Sequence, residues 1–423
     1  MWPNSAEILP AAFRGSGARV LSFRPHSVEP SGGGYLFGYE VDTLDADGTS
    51  STVLTFIDTD PASVEAGARE GGSVVSDPAT GSPVRVWAYP SDPALPALAS
   101  VTYPDRVVDL LARIGVPIST PTLTVAAYRP GKRAVIKVES PETTLFIKVV
   151  RPTRAEPIAA QHRAFARAGL PVPIVIAAQA DGLLVLQRVA GVPAGTRVLG
   201  LAASTGFVSG VVALAEAVSR VGLTQPAQAD ALENGSWHRR SLTESLPDRA
   251  SMIHGIYDEI EARVSRWPKG ELRVVHGDLH LEQLFVDAVD VGVVTGLLDI
   301  DTAGLGHPAR DAGALVAHLV VTAQWHRGNG DQAEARACEK IADAVADEWV
   351  ALHPEWADRL PPTIASQLLA HAGGQATLGT PVGREKALQL IDAAEGALWP
   401  RPAEHAEPAA LDGPSVGTVH LHP

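Results

Sequence analysis

The sequence predicts an α+β chain in three parts: a β-rich unit, a small five-stranded lobe with one helix, and a larger helical lobe. Three patterns carry that reading. Residues 1–98 alternate apolar and polar near 18–24, 34–42, 51–58 and 83–89, broken by the turn clusters SGGG (31–34) and DADGT (45–49). Residues 99–190 show five strand-like runs with one helical segment after the third. From 191 to 423 helical periods dominate, interrupted by a β excursion at 272–300.

Between the first two parts, SDPALPALAS (91–100) reads as a linker, and a short helix, Asp105 to Ile114, follows it. The runs 122–130, 133–140 and 144–150 are strands separated by the turns PGKR and SPET. The helix at 155–168 stops at Gly169, ahead of Pro171 and Pro173. VPIVIAA and GLLVLQRV then supply two more strands. Beyond them, helices are expected at 205–221, 250–267, 308–325, 331–353, 363–372 and 384–398. The uncharged stretch Val198 to Ala215 has membrane-span length, but Ser204, Thr205, Ser209 and three glycines make it a buried helix.

Hydrophobic residues at 45% and charged residues at 19% describe a globular chain. A net charge of −14, with no Lys/Arg cluster, excludes a phosphate-backbone binder, so no nucleic-acid partner is expected. The acidic balance suits a cationic substrate, or serves solubility alone. Cys338 is the single cysteine, which excludes an intrachain disulfide and a multi-cysteine zinc site and suits a reducing compartment. MWPNSAEILPAAFRG has no basic start followed by an apolar core. The expectation is a cytoplasmic protein with no membrane partner. Oligomeric state is left open.

The chemistry concentrates in VVHGDLHLEQLFVD (274–287) and VTGLLDIDTAGLGHPARD (294–311). Phosphoryl transfer needs a carboxylate at the acceptor hydroxyl, oxygen ligands for a divalent ion on the triphosphate, and a cation on the phosphates. Asp278 suits the first role. Gln283, five residues on, carries an amide oxygen that can ligate a metal, and Asp299 ends an apolar strand.

HGDLHxxQ followed by a strand ending in Asp resembles the aminoglycoside phosphotransferase, choline kinase and maltokinase superfamily, over roughly residues 120–400. The resemblance implies a bilobal protein-kinase-like fold with a β-rich cap added at the N-terminus, and a nucleotide in the cleft between the lobes. It implies ATP or another nucleoside triphosphate and Mg2+ as cofactors, and a small hydroxylated acceptor. Asp278 becomes the general base or acceptor-orienting carboxylate; Gln283 and Asp299 become the metal ligands. Most members carry Asn where this chain has Gln283, whereas the maltokinase-type loop also carries Gln.

Asp301 is read as a further metal or substrate ligand, on the side of Asp299 if the strand continues, or as a turn cap. His280 is left undecided between metal and substrate. His276 and Asp311 are read as scaffold. Lys148, on the third strand of the small lobe, is preferred to Lys137 as the phosphate-gripping cation, and burying it asks for an anionic partner. Glu156 is the one carboxylate of the following helix, although Pro157 restricts it and the family's Glu falls nearer to Ile158–His162. Lys132 and Arg133, in the turn where the phosphate-covering loop belongs, grip phosphate or form a solvated tip. Gln187 to Val189 fall where backbone pairs with adenine.

For the acceptor, Asp392, Glu395 and Trp399 recur at i, i+3 and i+7 and place two carboxylates and an indole along one helix face. Leu390, Ile391 and Leu398 define a core stripe that Trp399 could equally extend. A sugar, amino sugar or aminoglycoside-like acceptor follows from the resemblance. A weakly active nucleotide sensor of the same fold is the alternative. A metallophosphohydrolase is a further one, but His276-x-Asp278-x-His280 lacks the extra Asp, Asn and His clusters of a two-metal site.

Overall fold

The computed structural model describes residues 3–69, 73–78, 80–268 and 270–399. The chain divides into two compact units, Met1–Val189 and Ala190–Pro423.

The first unit contains two antiparallel sheets. Helix α1 (Ser5–Phe13) precedes β1 (Arg19–Ser31), β2 (Gly34–Leu44), β3 (Ser50–Asp58), helix α2 (Pro61–Arg69), β4 (Val74–Ser76) and β5 (Pro83–Ala88). These strands form one sheet in the order β1-β2-β3-β5-β4. Its inward residues Phe37, Tyr39, Val41, Ile57, Val84 and Val86 pack on Ile8 and Leu9 of α1. The sequence pattern did not reveal α1, because Pro10 interrupts its helical period.

After α3 (Pro104–Arg113) come β6 (Thr122–Arg129), β7 (Arg133–Glu139), β8 (Thr144–Val150), α4 (Pro152–Arg167), β9 (Val175–Ala178) and β10 (Leu183–Gln187). The second sheet runs β6-β7-β8-β10-β9, with α4 as its inserted helix. The 91–100 segment is not the linker that its prolines suggest. Leu95 and Leu98 are fully buried in the core of this second sheet, beside Leu111, Ile136 and Ile147. Short i→i+3 backbone bonds, such as Leu95 N–H to Asp92 C=O (3.1 Å), wind the segment into turns that proline tolerates.

The second unit is largely helical. It runs β11 (Val192–Pro193), α5 (Val198–Ala203), α6 (Phe207–Ser219), α7 (Gly235–Ser245), α8 (Ala250–Val264), β12 (Arg273–Val275), β13 (Leu284–Val286), β14 (Val294–Leu297), β15 (Gly304–Gly306), α9 (Arg310–Asn329), α10 (Gln332–Leu352), α11 (Leu360–Ala376) and α12 (Pro381–Leu398). Apolar residues of α7, α8, α11 and α12 share one core, which includes Tyr257, Leu368 and Ile391. The uncharged 198–215 stretch is two helices rather than one. Ser204 separates them, its Oγ accepting from the N–H groups of Gly206 (3.1 Å) and Phe207 (3.3 Å). Among the described residues no helix is long and apolar enough to cross a membrane.

Two small antiparallel ladders interrupt the helices, β12 with β15 and β11-β13-β14. The first pairs Val275 with Gly304 and the second pairs Leu284 with Leu297, so the two halves of the motif lie against each other.

Candidate active site

The loop between β12 and β13 carries His276 to Gln283, and its backbone is held at nearly every step. Asp311, in the first turn of α9, accepts from His276 N–H (2.7 Å) through Oδ2 and from Gly277 N–H (2.9 Å) through Oδ1. Arg310 beside it donates to the carbonyls of Gly277 (3.0 Å) and Gln228. Arg310 is itself paired with the buried Asp230 (3.6 Å), which also meets His307 (3.2 Å). Gly277 has φ +90°, and a Cβ there would sit 2.8 Å from the Thr302 carbonyl oxygen, so only glycine fits.

His276 is buried and ties the loop to the second half of the motif. Its Nε2–H donates to the Leu298 carbonyl (2.7 Å), since a carbonyl only accepts. Nδ1 of the neutral ring is then free to accept from Asp278 N–H (3.3 Å). Leu298 N–H in turn donates to the Gln283 carbonyl (2.8 Å). One hydrogen-bonded frame thus connects Asp278, Gln283 and the residue preceding Asp299. All three side chains are half-buried at this frame.

Asp299 lies two residues past β14 and has a left-handed backbone, φ +50°, an uncommon state for a non-glycine residue. The chain then enters a single 3₁₀ turn, Ile300–Thr302. The strand therefore does not continue, and Asp301 cannot share a strand face with Asp299; at three residues per turn the two side chains diverge.

Three imidazoles gather at the loop. The His280 ring stacks on His318 of α9 at 4.5 Å and 19°, and His318 meets the edge of His371 of α11 at 4.5 Å and 85°. His280 Nδ1 lies 2.7 Å from Glu282 Oε2, and its Nε2 lies 3.1 Å from Gln283 Nε2. The bond from His280 holds the Glu282 carboxyl below its usual value. Burial, then the neighbouring His371 and His280, push His318 down to about 3. Burial also lowers His371, while the Asp278 charge opposes the shift. Both rings are neutral at pH 7. Neither His318 nor His371 was singled out from the sequence. Each sits among apolar neighbours in its helix, Val316, Ala317 and Leu319 beside His318 and Leu369, Ala370 and Ala372 beside His371, a pattern that marks core packing as readily as a site. Cys338 is buried, and burial together with Glu282 and Glu334 pushes its thiol up to about 11, so it is an inert bystander.

In the first unit, Lys148 sits in the middle of β8, 6% exposed, opposite Val135 and Leu184 of the flanking strands. Lys137, its competitor, is on β7 and pairs with Glu139 at 2.7 Å in a half-exposed position. Glu156 is not the partner of Lys148. Its side chain is 71% exposed and pairs with Arg163 (2.8 Å), because α4 turns Ala155, Ile158, Ala159, His162 and Phe165 inward instead. In the 158–162 stretch of α4, where the resemblance predicts a carboxylate, the buried polar residues are Gln161 and His162. Neither side chain offers an acidic signal in the sequence.

The β6–β7 turn is tied to the first sheet and its connection. Gly131 N–H and Tyr128 OH donate to Asp92 (2.7 and 2.9 Å), and Lys132 pairs with Glu29 (3.0 Å). Arg151 Nε–H donates to the Gly131 carbonyl (2.7 Å), and Arg133 opens β7, half-buried. Gln187 ends β10 with its N–H on the Ile174 carbonyl (2.9 Å), and Val189 is buried. As for the residues expected to contact the acceptor, α12 ends at Leu398 and Trp399 leaves the helical conformation (φ −125°, ψ 74°). Asp392, Glu395 and Trp399 therefore do not form one helical face, and the buried stripe is Leu390, Ile391, Ala394 and Leu398.

A protein-kinase-like fold with an added N-terminal β-rich sheet and an HGD loop of this kind defines a class of phosphotransferases. The model of the phosphotransferase enzyme family (APH) matches residues 131–349, and the chain belongs to that family. It is a small-molecule phosphotransferase with an alcohol group as acceptor. No curated protein matches the chain. Solved structures similar to it include a thermostable mutant of aminoglycoside phosphotransferase APH(4)-Ia in ternary complex with ADP and hygromycin B. That match has 14% identity and a TM-score of 0.47, covering 68% of this chain and 97% of that one. Macrolide 2'-phosphotransferase MphH from Brachybacterium faecium is similar at 20% identity and a TM-score of 0.41, covering 70% and 99%. Amicoumacin kinase hAmiN, in complex with AMP-PNP, Ca2+ and Ami, is similar at 12% identity and a TM-score of 0.42, covering 70% and 93%.

Proposed function

We propose that the chain transfers the γ-phosphoryl group of ATP to a hydroxyl of a sugar, amino sugar or aminoglycoside-like acceptor in the cytoplasm. The observation that carries this reading is the frame in which His276 and the Leu298–Gln283 backbone bond link Asp278, Gln283 and Asp299. Asp278 orients the acceptor hydroxyl and takes its proton as the oxygen attacks. Gln283 and Asp299 offer one amide oxygen and one carboxylate. Such a hard, sparse donor set suits Mg2+, which keeps waters and takes its remaining ligands from phosphates. When bound, the ion neutralises charge on the β- and γ-phosphates.

Lys148 grips the phosphates, with Lys132 and Arg133 covering them and the Gln187–Val189 backbone meeting the base. Residues 1–98 act as a cap, 99–190 as the small lobe and 191–423 as the helical lobe. The cap carries none of the reacting groups; Glu29 and the adjoining Asp92 set the position of the 129–133 turn.

An ATP-consumption screen over sugars, amino sugars, aminoglycosides and choline tests the reading, with Asp278→Asn as control. At least one acceptor should raise turnover in the native chain and not in the variant. If every acceptor leaves native turnover at the level of the variant, the reading is wrong.

A further inference from the structure

Gln283, read above as a metal ligand, has one more side-chain torsion than an asparagine would have. The terminal torsion of Gln is broad, and a freely turning amide presents its NH2 end to a cation as readily as its oxygen. Something must select the oxygen. Glu282, the residue just before Gln283, is exposed, yet its carboxylate faces back to His280 Nδ1 at 2.7 Å. A carboxylate only accepts, so this contact places a proton on Nδ1, and in the neutral ring the Nε2 lone pair is left to accept. Gln283 Nε2 lies 3.1 Å from that lone pair. Pinning the NH2 end fixes the direction of Oε1. The His318 face, 4.5 Å away, holds the His280 ring in its plane, and the His371 edge backs His318.

We infer that Glu282 and His280 are positioning residues that orient the Gln283 amide so that its oxygen, and not its nitrogen, meets the divalent ion. This rests on the reading of Gln283 as a metal ligand. The relay gives the ligand the orientation that a shorter asparagine side chain has with fewer torsions to fix.

The test is Mn2+ binding to the full chain in the presence of AMP-PNP, followed by electron paramagnetic resonance, so that turnover is not needed. Glu282→Ala and His280→Ala should each weaken Mn2+ binding about tenfold, the lower end for residues that orient a metal ligand. Glu282→Gln, whose amide oxygen still accepts from Nδ1–H, should stay within about threefold of the native chain. Gln283→Ala should lose at least as much as Glu282→Ala, and adding Glu282→Ala to it should cost nothing further. Glu282 is exposed, so its replacement leaves the packing intact. Native Mn2+ affinity in both Glu282→Ala and His280→Ala, with a loss in Gln283→Ala, overturns the relay and leaves the ligand reading standing. Additive losses in the double variant also overturn it. Native affinity in Gln283→Ala removes the ligand reading itself, and the relay with it.

Discussion

The 276–283 loop and the β6–β7 turn are both short, glycine-containing segments that the proposed function assigns to the phosphoryl group, and they differ in the number of contacts that hold them. The 276–283 loop is fixed through its backbone: Asp311 takes two N–H groups, Arg310 a carbonyl, and His276 bridges to Leu298. Those bonds are buried or partly buried, where a lost partner leaves a polar group poorly solvated. The 129–133 turn is also gripped at its backbone, by Asp92 at Gly131 N–H and Arg151 at Gly131 C=O, and a further tie is the half-exposed pair Lys132–Glu29. Under the proposed function, the loop that would hold ligands in register is tied at more points than the turn that would admit and release a nucleotide. Residues that do chemistry, that hold the loop, and that tether the turn should therefore differ in the size of their effects.

The largest effect is expected at the reacting carboxylate. Asp278→Asn should lower kcat by about 10³-fold, within the range for a general base, while leaving nucleotide affinity near native; single-turnover kinetics with an identified acceptor checks this. Next comes the frame. Asp311→Ala strands the His276 and Gly277 N–H groups and should cost about 3 kcal/mol of stability, read from urea unfolding.

The imidazole stack should show itself through pH. The folded His318 titrates at about 3, below the unfolded value, so the unfolded chain binds the extra proton first as pH falls. Its contribution is complete above about pH 6.5 and drains away as pH falls from there towards about 3. His318→Phe, which keeps a ring against His280, should flatten that acid slope in unfolding measured from pH 7 to 4. The smallest effect belongs to the tether. Glu29→Gln breaks a half-exposed ion pair of about 0.5 kcal/mol, so KM for ATP should move by less than about threefold. A tenfold change there, or none at Asp311, would erase the contrast between the two segments.

What the sequence made legible follows the range of the interactions. Asp278, Gln283 and Asp299 lie within a short stretch whose spacing reflects local turns and ladders, and Lys148 falls on a strand whose order could be counted. His318 and His371 come from two helices far apart in the chain, and only packing brings them to His280. Glu156 lies on the outer face of α4, an orientation that Pro157 hides in the sequence, and the polar residues that α4 does bury are Gln161 and His162. The Asp392–Glu395–Trp399 alignment assumed a helix that stops at Leu398. The 91–100 segment carries the prolines of a linker but folds as turns that bury Leu95 and Leu98.

The central claim is most directly tested by a crystal structure of the chain with AMP-PNP and Mn2+, with the ion located by its anomalous scattering. The account predicts one ion bound by Gln283 Oε1 and the Asp299 carboxylate together with nucleotide phosphates, and Asp278 facing the γ-phosphate without touching the ion. An ion held by other residues, or Asp278 turned away from the phosphate, would contradict it.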